Sequence, residues 1–198
     1  MKRAYDLVVD LKMKEMAGDD GGAAHGASGV LPLYAKELNK CVQNQDWEGG
    51  WETWDAIQAM DEEIPSVYFG EVMTNVFRLC YGDHEANSLY VKKRAQIADT
   101  SSDKSSDAAQ NPLALDEDDW VNTAIHVIHD AIENETLGSD RSTLEDCFTK
   151  LLWVAKDMQD VDSANKINDQ IGAHGLPASI AQVIMQELYR EVYHTRGI

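Results

Sequence analysis

PLYAKELNKCVQNQDWEGGWETWDAIQAMDEEIPS, residues 32–66, is the stretch on which the fold turns. Its apolar residues recur at helical rather than strand spacing, which predicts helices over about 32–44 and 47–61. Two residues separate them, so the helices must fold back on each other as an antiparallel pair. Pro32 and Pro65 flank the pair, since proline fits the first turn of a helix and blocks extension of whatever precedes it. Trp47, Trp51 and Trp54 share one face of the second helix, where packing is the first explanation for large rings. Trp120 and Trp153 read as hairpin core in the same way.

The same pattern extends in both directions. Helices are expected at about 2–17, 66–81, 83–98, 117–135, 142–157, 160–173 and 178–194, giving about nine with the first pair. Strand alternation is absent, and Ile64-Pro65 and Leu176-Pro177 repeat the boundary found at Leu31-Pro32. A small residue followed by partners three, four and seven positions on recurs through the chain. It occurs as Ala4/Leu7/Val8/Leu11, Gly50/Thr53/Trp54/Ile57, Ala86/Leu89/Tyr90/Lys93, Ala124/Val127/Ile128/Ala131 and Ala164/Ile167/Asn168/Ile171. The spacings are 46, 36, 38 and 40, and the first is long by about the length of a Gly/Ala-rich insertion at 18–29. One such stripe is a generic helix contact, whereas a recurrence at this period predicts an all-α solenoid of antiparallel hairpins. The whole chain reads as one solenoid, interrupted by that insertion and by an acidic, Ser/Asp-rich loop at about 99–116.

These residues resemble a pentatricopeptide repeat. Such a repeat carries an aromatic at its third position, a turn before an apolar anchor, a small residue near nineteen and a boundary proline, here Tyr34, Trp47, Gly50 and Pro65. The segment DCFTKLLWVAKDMQDVDSANKINDQIGAHGLPAS, residues 146–179, is similar through Phe148, Val161, Ala164, Gly175 and Pro177. Residues 66–98 match through Tyr68, Phe69 and Ala86, while 1–17 and 178–194 resemble half repeats and the repeat around Ala124 has its first helix replaced by the Ser/Asp-rich segment. Tetratricopeptide-like hairpins are the nearest competitor. The resemblance implies a right-handed superhelix, an organellar home in a mitochondrion or plastid, and single-stranded RNA as the usual ligand. The family reads bases partly through its fifth position, usually Asn, Ser or Thr. Here that position is Lys36 and Lys150, with Val72 or Glu71 in the third match. Lysine touches a phosphate as a point charge and cannot supply an amide-type base code.

Charge argues further against that ligand. There are 17 Lys+Arg against 35 Asp+Glu, a net −18, so the surface repels polyanions, and general affinity for nucleic acid or anionic lipid is disfavoured. The segment 99–119 holds seven acids and one lysine, a net −6, so about −12 belongs to the rest of the chain. Three cysteines, Cys41, Cys80 and Cys147, lie far apart without a CxxC partner, which excludes a disulfide scaffold and suits a reducing compartment. No run of about 18 apolar residues is present for a membrane span. The first residues, MKRAYDLVVDLKMKEM, contain Asp6, Asp10 and Glu15, unlike acid-poor transit peptides, and read as a packed helix.

Few residues suggest chemistry. His126, His129, Asp130 and Glu133 sit at helical spacing, but a metal site needs ligands from a second element, so ordinary helix residues are the expectation. Gly21-Gly22 and Gly49-Gly50 lack the strand and the Lys-Ser/Thr of a phosphate loop. The expectation is a non-catalytic protein-binding or structural subunit of a larger assembly, without a cofactor or resident metal, and with Tyr34, Trp47, Gly50, Trp54, Ala86, Ala124, Phe148 and Ala164 as repeat anchors. The alternative is an RNA-binding factor for organellar RNA processing or translation that works through Lys36 and Lys150.

Overall fold

The computed structural model describes residues 30–60, 62–83 and 119–195. The helix expected at 2–17, all but the first residue of that at 83–98, the insertion at 18–29, the loop at 99–116, and the residues Ala4 and Ala86 lie outside them. The described residues form seven α-helices and no strand. They are α1 (Leu31–Gln43), α2 (Trp47–Gln58), α3 (Ser66–Gly82), α4 (Trp120–Glu133), α5 (Arg141–Asp157), α6 (Val161–Ala173) and α7 (Ser179–Thr195).

The turns explain where the helices start and stop. Pro32 occupies the first turn of α1, and Pro65 precedes α3 with φ −58° and ψ 143°, outside the helical region. Four helices open on an aspartate. Asp46, Asp119, Asp140 and Asp160 accept hydrogen bonds from the backbone N–H of Gly49, Val121, Thr143 and Ser163. Each such cap satisfies a donor that the helix cannot, stabilising by about 1 kcal/mol. Two of these aspartates also end the preceding helix. The N–H of Asp46 reaches Cys41 O and that of Asp160 reaches Ala155 O, both at 2.9 Å. Gln45 (φ 55°) and Gln159 (φ 56°) take the left-handed conformation that this closure requires.

Helices pack in a regular order. α1 packs on α3, α3 on α5 and α5 on α7, while α2, α4 and α6 each pack against their odd-numbered neighbours. A single apolar cluster runs through all seven helices. Leu38, Trp54, Phe77, Ile128, Leu152, Ile167 and Leu188 are its fully buried representatives, one from each helix in turn. Gly50 lets α2 approach α3 closely, since a Cβ there would stand 2.5 Å from Leu79 Cδ2. The α2–α3 and α4–α5 connections also touch, with Ile64 N–H donating to Thr136 O at 2.9 Å.

The anchor residues inside the described part occupy this core to different degrees. Tyr34, Gly50, Trp54, Ala124, Phe148 and Ala164 are buried. Trp47 is half-buried because it begins α2 and lies over Gly82. One expectation fails. Trp153 is 38% exposed, its ring lying under the Lys156 ammonium at 4.6 Å, because it projects from the side of α5 away from the core. Asn168, the third residue of its repeat stripe, is exposed, while α6 buries Ser163, Ala164, Ile167 and Ile171.

Candidate functional site

The odd-numbered helices carry most of the exposed apolar surface. Leu33 on α1, Val67 on α3, Trp153 on α5 and Val183 on α7 are 45%, 77%, 38% and 62% exposed. Helical spacing ties three of them to the neighbours of interest: Leu33 shares a face with Lys36, Val67 with Gly70, and Lys150 with Trp153. Lys150 lies across Gly70, where a Cβ would be 3.4 Å from its Cε and Nζ. The Lys150 side chain thus reaches from α5 to α3, and exposed apolar residues stand near lysines on α1 and α5.

Lys36 is exposed on α1 and Lys150 is half-buried on α5, with α3 packing against both helices. Of the two residues weighed for the fifth position of the third match, Val72 is fully buried and cannot meet a ligand, and Glu71 is exposed and acidic. Most other cations of the described residues are held by carboxylates. Arg78 pairs with Asp157 at 3.0 Å, joining α3 to α5. Lys156 meets Glu187 at 2.9 Å and Glu191 at 3.3 Å, joining α5 to α7. These contacts raise the Lys156 pKa, chiefly through the hydrogen bond to Glu187. Lys40 pairs with Glu37, Arg141 with Glu145 and Lys166 with Asp119. The more exposed of these pairs, Lys40–Glu37 and Arg141–Glu145, contribute little stability. Their effect here is on the field, because each neutralises a cation that a polyanion would need.

The three thiols are buried and poorly suited to nucleophilic work. Burial pushes Cys147 up to about 12, and it raises Cys41 and Cys80 as well. Thiols shifted this way stay protonated at neutral pH, whereas the thiolate is the nucleophile. A cavity of about 30 Å³ between Leu31, Ile57 and Pro65 has room for a water, far below what a small-molecule ligand occupies.

One of the helix histidines also has a partner far along the chain. His126 and His129 are exposed on α4. His129 gains a partner from another element: its Nε2 lies 3.4 Å from Nε2 of His174, the residue capping the C-terminus of α6. His174 Nδ1 donates to Gln170 O at 2.8 Å, and its ring packs against Phe148 with centroids 5.1 Å apart. Partial desolvation of its ring holds the His129 pKa below the ordinary imidazole value although the residue as a whole is exposed, helped by His174 and then His126, with Asp130 opposing. Asp130 and Glu133, the other members of the sequence cluster, complete no group of three metal ligands among the described residues. Sequence reasoning missed His174 because it lies 45 residues from His129 and follows the end of a helix. The α4–α6 packing that joins them has no local signature.

No described helix is long and apolar enough to cross a membrane. No family model, curated protein or solved structure matches the chain.

Proposed function

We propose that this chain is a non-catalytic α-solenoid, a right-handed stack of pentatricopeptide-like hairpins, that serves as a protein-binding scaffold in a larger assembly. The order of packing supports the solenoid reading, because odd helices follow odd helices and each even helix returns to its neighbours. The observation that carries the function is the state of the cations. Arg78, Arg141, Lys40, Lys156 and Lys166 are held in ion pairs on a chain of net charge −18, while Leu33, Val67, Trp153 and Val183 stand exposed on the odd row. Such a face suits a protein with apolar side chains framed by basic ones, and it repels a phosphate backbone. The resemblance to pentatricopeptide repeats is the support for assigning that assembly to a mitochondrion or plastid. The buried, protonated thiols support a role without covalent catalysis.

The competing reading is a single-stranded RNA-binding factor. It rests on Lys36 and Lys150, which carry no ion pair with a described carboxylate and sit on the odd row. Tagged chain recovered from its native cells tests both. The scaffold reading expects defined protein partners whose cross-links fall on α1, α3, α5 and α7, and whose recovery drops in Trp153→Asp. RNA recovered in their place, lost in Lys36→Glu or Lys150→Glu, would replace the scaffold by the RNA-binding factor.

A further inference from the structure

The His129–His174 contact lies apart from the proposed docking face and has no part in that function. We propose that His129 Nε2 and His174 Nε2 form a two-imidazole site for a divalent transition-metal ion of the zinc, copper or nickel class, joining α4 to the C-terminal end of α6. The separation is the first argument. Two ligands about 2.0–2.1 Å from a tetrahedral ion stand about 3.3–3.4 Å apart. The two Nε2 atoms are 3.4 Å apart. That is long for a hydrogen bond between two ring nitrogens.

The placement of the ring proton is the second argument. A carbonyl oxygen only accepts, so His174 Nδ1 must carry the proton that it shares with Gln170 O. With Nδ1 so engaged, Nε2 is the ring nitrogen that faces His129 Nε2 and is left to bind a metal. A ring N–H held by a backbone carbonyl is the usual support of a metal-bound imidazole, because it fixes both tautomer and ring orientation. Phe148 packs against the same ring and restricts it further. Imidazole donors select zinc, copper or nickel over calcium and magnesium, which prefer oxygen. No third His, Cys, Asp or Glu completes the group among the described residues, so water or a donor from a bound partner fills the remaining positions. The exposure of His129 leaves those positions open to solvent, and the net charge of −18 concentrates cations around the chain.

The experiment is a zinc chloride titration of the full chain, stripped with chelator and followed by calorimetry at neutral pH. Side-chain nitrogen NMR of the histidines runs alongside it on the unmodified chain. Zinc is expected to move the ring resonances of His129 and His174 together. His129→Gln and His174→Gln are each expected to weaken binding by about tenfold or more. His194→Gln on α7 should leave it unchanged, with circular dichroism checking that all three variants keep their helix content. Absence of saturable binding, or binding that survives both His129→Gln and His174→Gln, would overturn the site. So would zinc shifts confined to other histidines, whatever the variants do.

Discussion

Adding 114 to the numbering of the α1–α2 hairpin lands on the α5–α6 hairpin: Tyr34 on Phe148, Gln45 on Gln159, Asp46 on Asp160, Gly50 on Ala164 and Ile57 on Ile171. The two hairpins turn identically. In each, a glutamine in the left-handed region precedes an aspartate whose N–H closes one helix and whose carboxylate opens the next. Their second helices then differ. Trp51 and Trp54 are buried in α2, whereas the matching Asn165 and Asn168 are exposed in α6, where Asn165 accepts from the Tyr189 hydroxyl at 2.7 Å. The turn is thus common to both hairpins, and the faces are set separately by what each helix packs against.

The largest expected effect breaks that difference between faces. Trp54→Ala removes a fully buried ring and is expected to destabilise by about 3–5 kcal/mol. The matching Asn168→Ala should stay within about 0.5 kcal/mol, as exposed substitutions do. Chemical denaturation of both variants checks the pair, and equal losses would mean that the faces do not differ. Gly50→Val is next. Its methyls enter space that Leu79 already fills at 2.5 Å from a built Cβ, so a cost of about 1–3 kcal/mol is expected in the same assay.

Smaller effects sharpen the likeness of the turns. Asp46→Ala and Asp160→Ala each lose a cap of about 1 kcal/mol, and the double variant should lose the sum. A marked inequality would show that the two turns are not equivalent. The smallest effect concerns pH. His129 has a folded-state pKa below its ordinary value of 6.5, so folding favours the neutral ring. Its contribution is complete above 6.5 and is lost as pH falls through the lower, folded value. His126, His174 and Asp130 are the charged or titratable neighbours that set it. Thermal melts with chelator present should therefore decline on acidification, and His129→Gln should flatten the decline.

Helix positions were legible because they are local. The expected spans 66–81, 142–157 and 160–173 differ from Ser66–Gly82, Arg141–Asp157 and Val161–Ala173 by a residue at one end, and 32–44 differs from Leu31–Gln43 by a residue at each end, since Pro32, Pro65, Asp140 and Asp160 mark the boundaries chemically. Side-chain fate was less legible. Trp153 and Trp54 are the same residue type on amphipathic helices, and only the position of neighbouring helices exposes one and buries the other. Long-range pairs were invisible. The Trp120 indole N–H donates to Ser163 Oγ at 2.9 Å across 43 residues, and His129 meets His174 across 45. Both contacts depend on α4 and α6 lying side by side, which no local pattern encodes.

The central claim is that this hairpin array docks protein rather than polyanion. Its most direct test is the size of the native assembly containing the chain, measured by gel filtration before and after ribonuclease treatment. The account predicts a complex larger than the 22.1 kDa chain whose size is unchanged by ribonuclease. Elution at the size of the free chain, or collapse to that size on ribonuclease treatment, would contradict it.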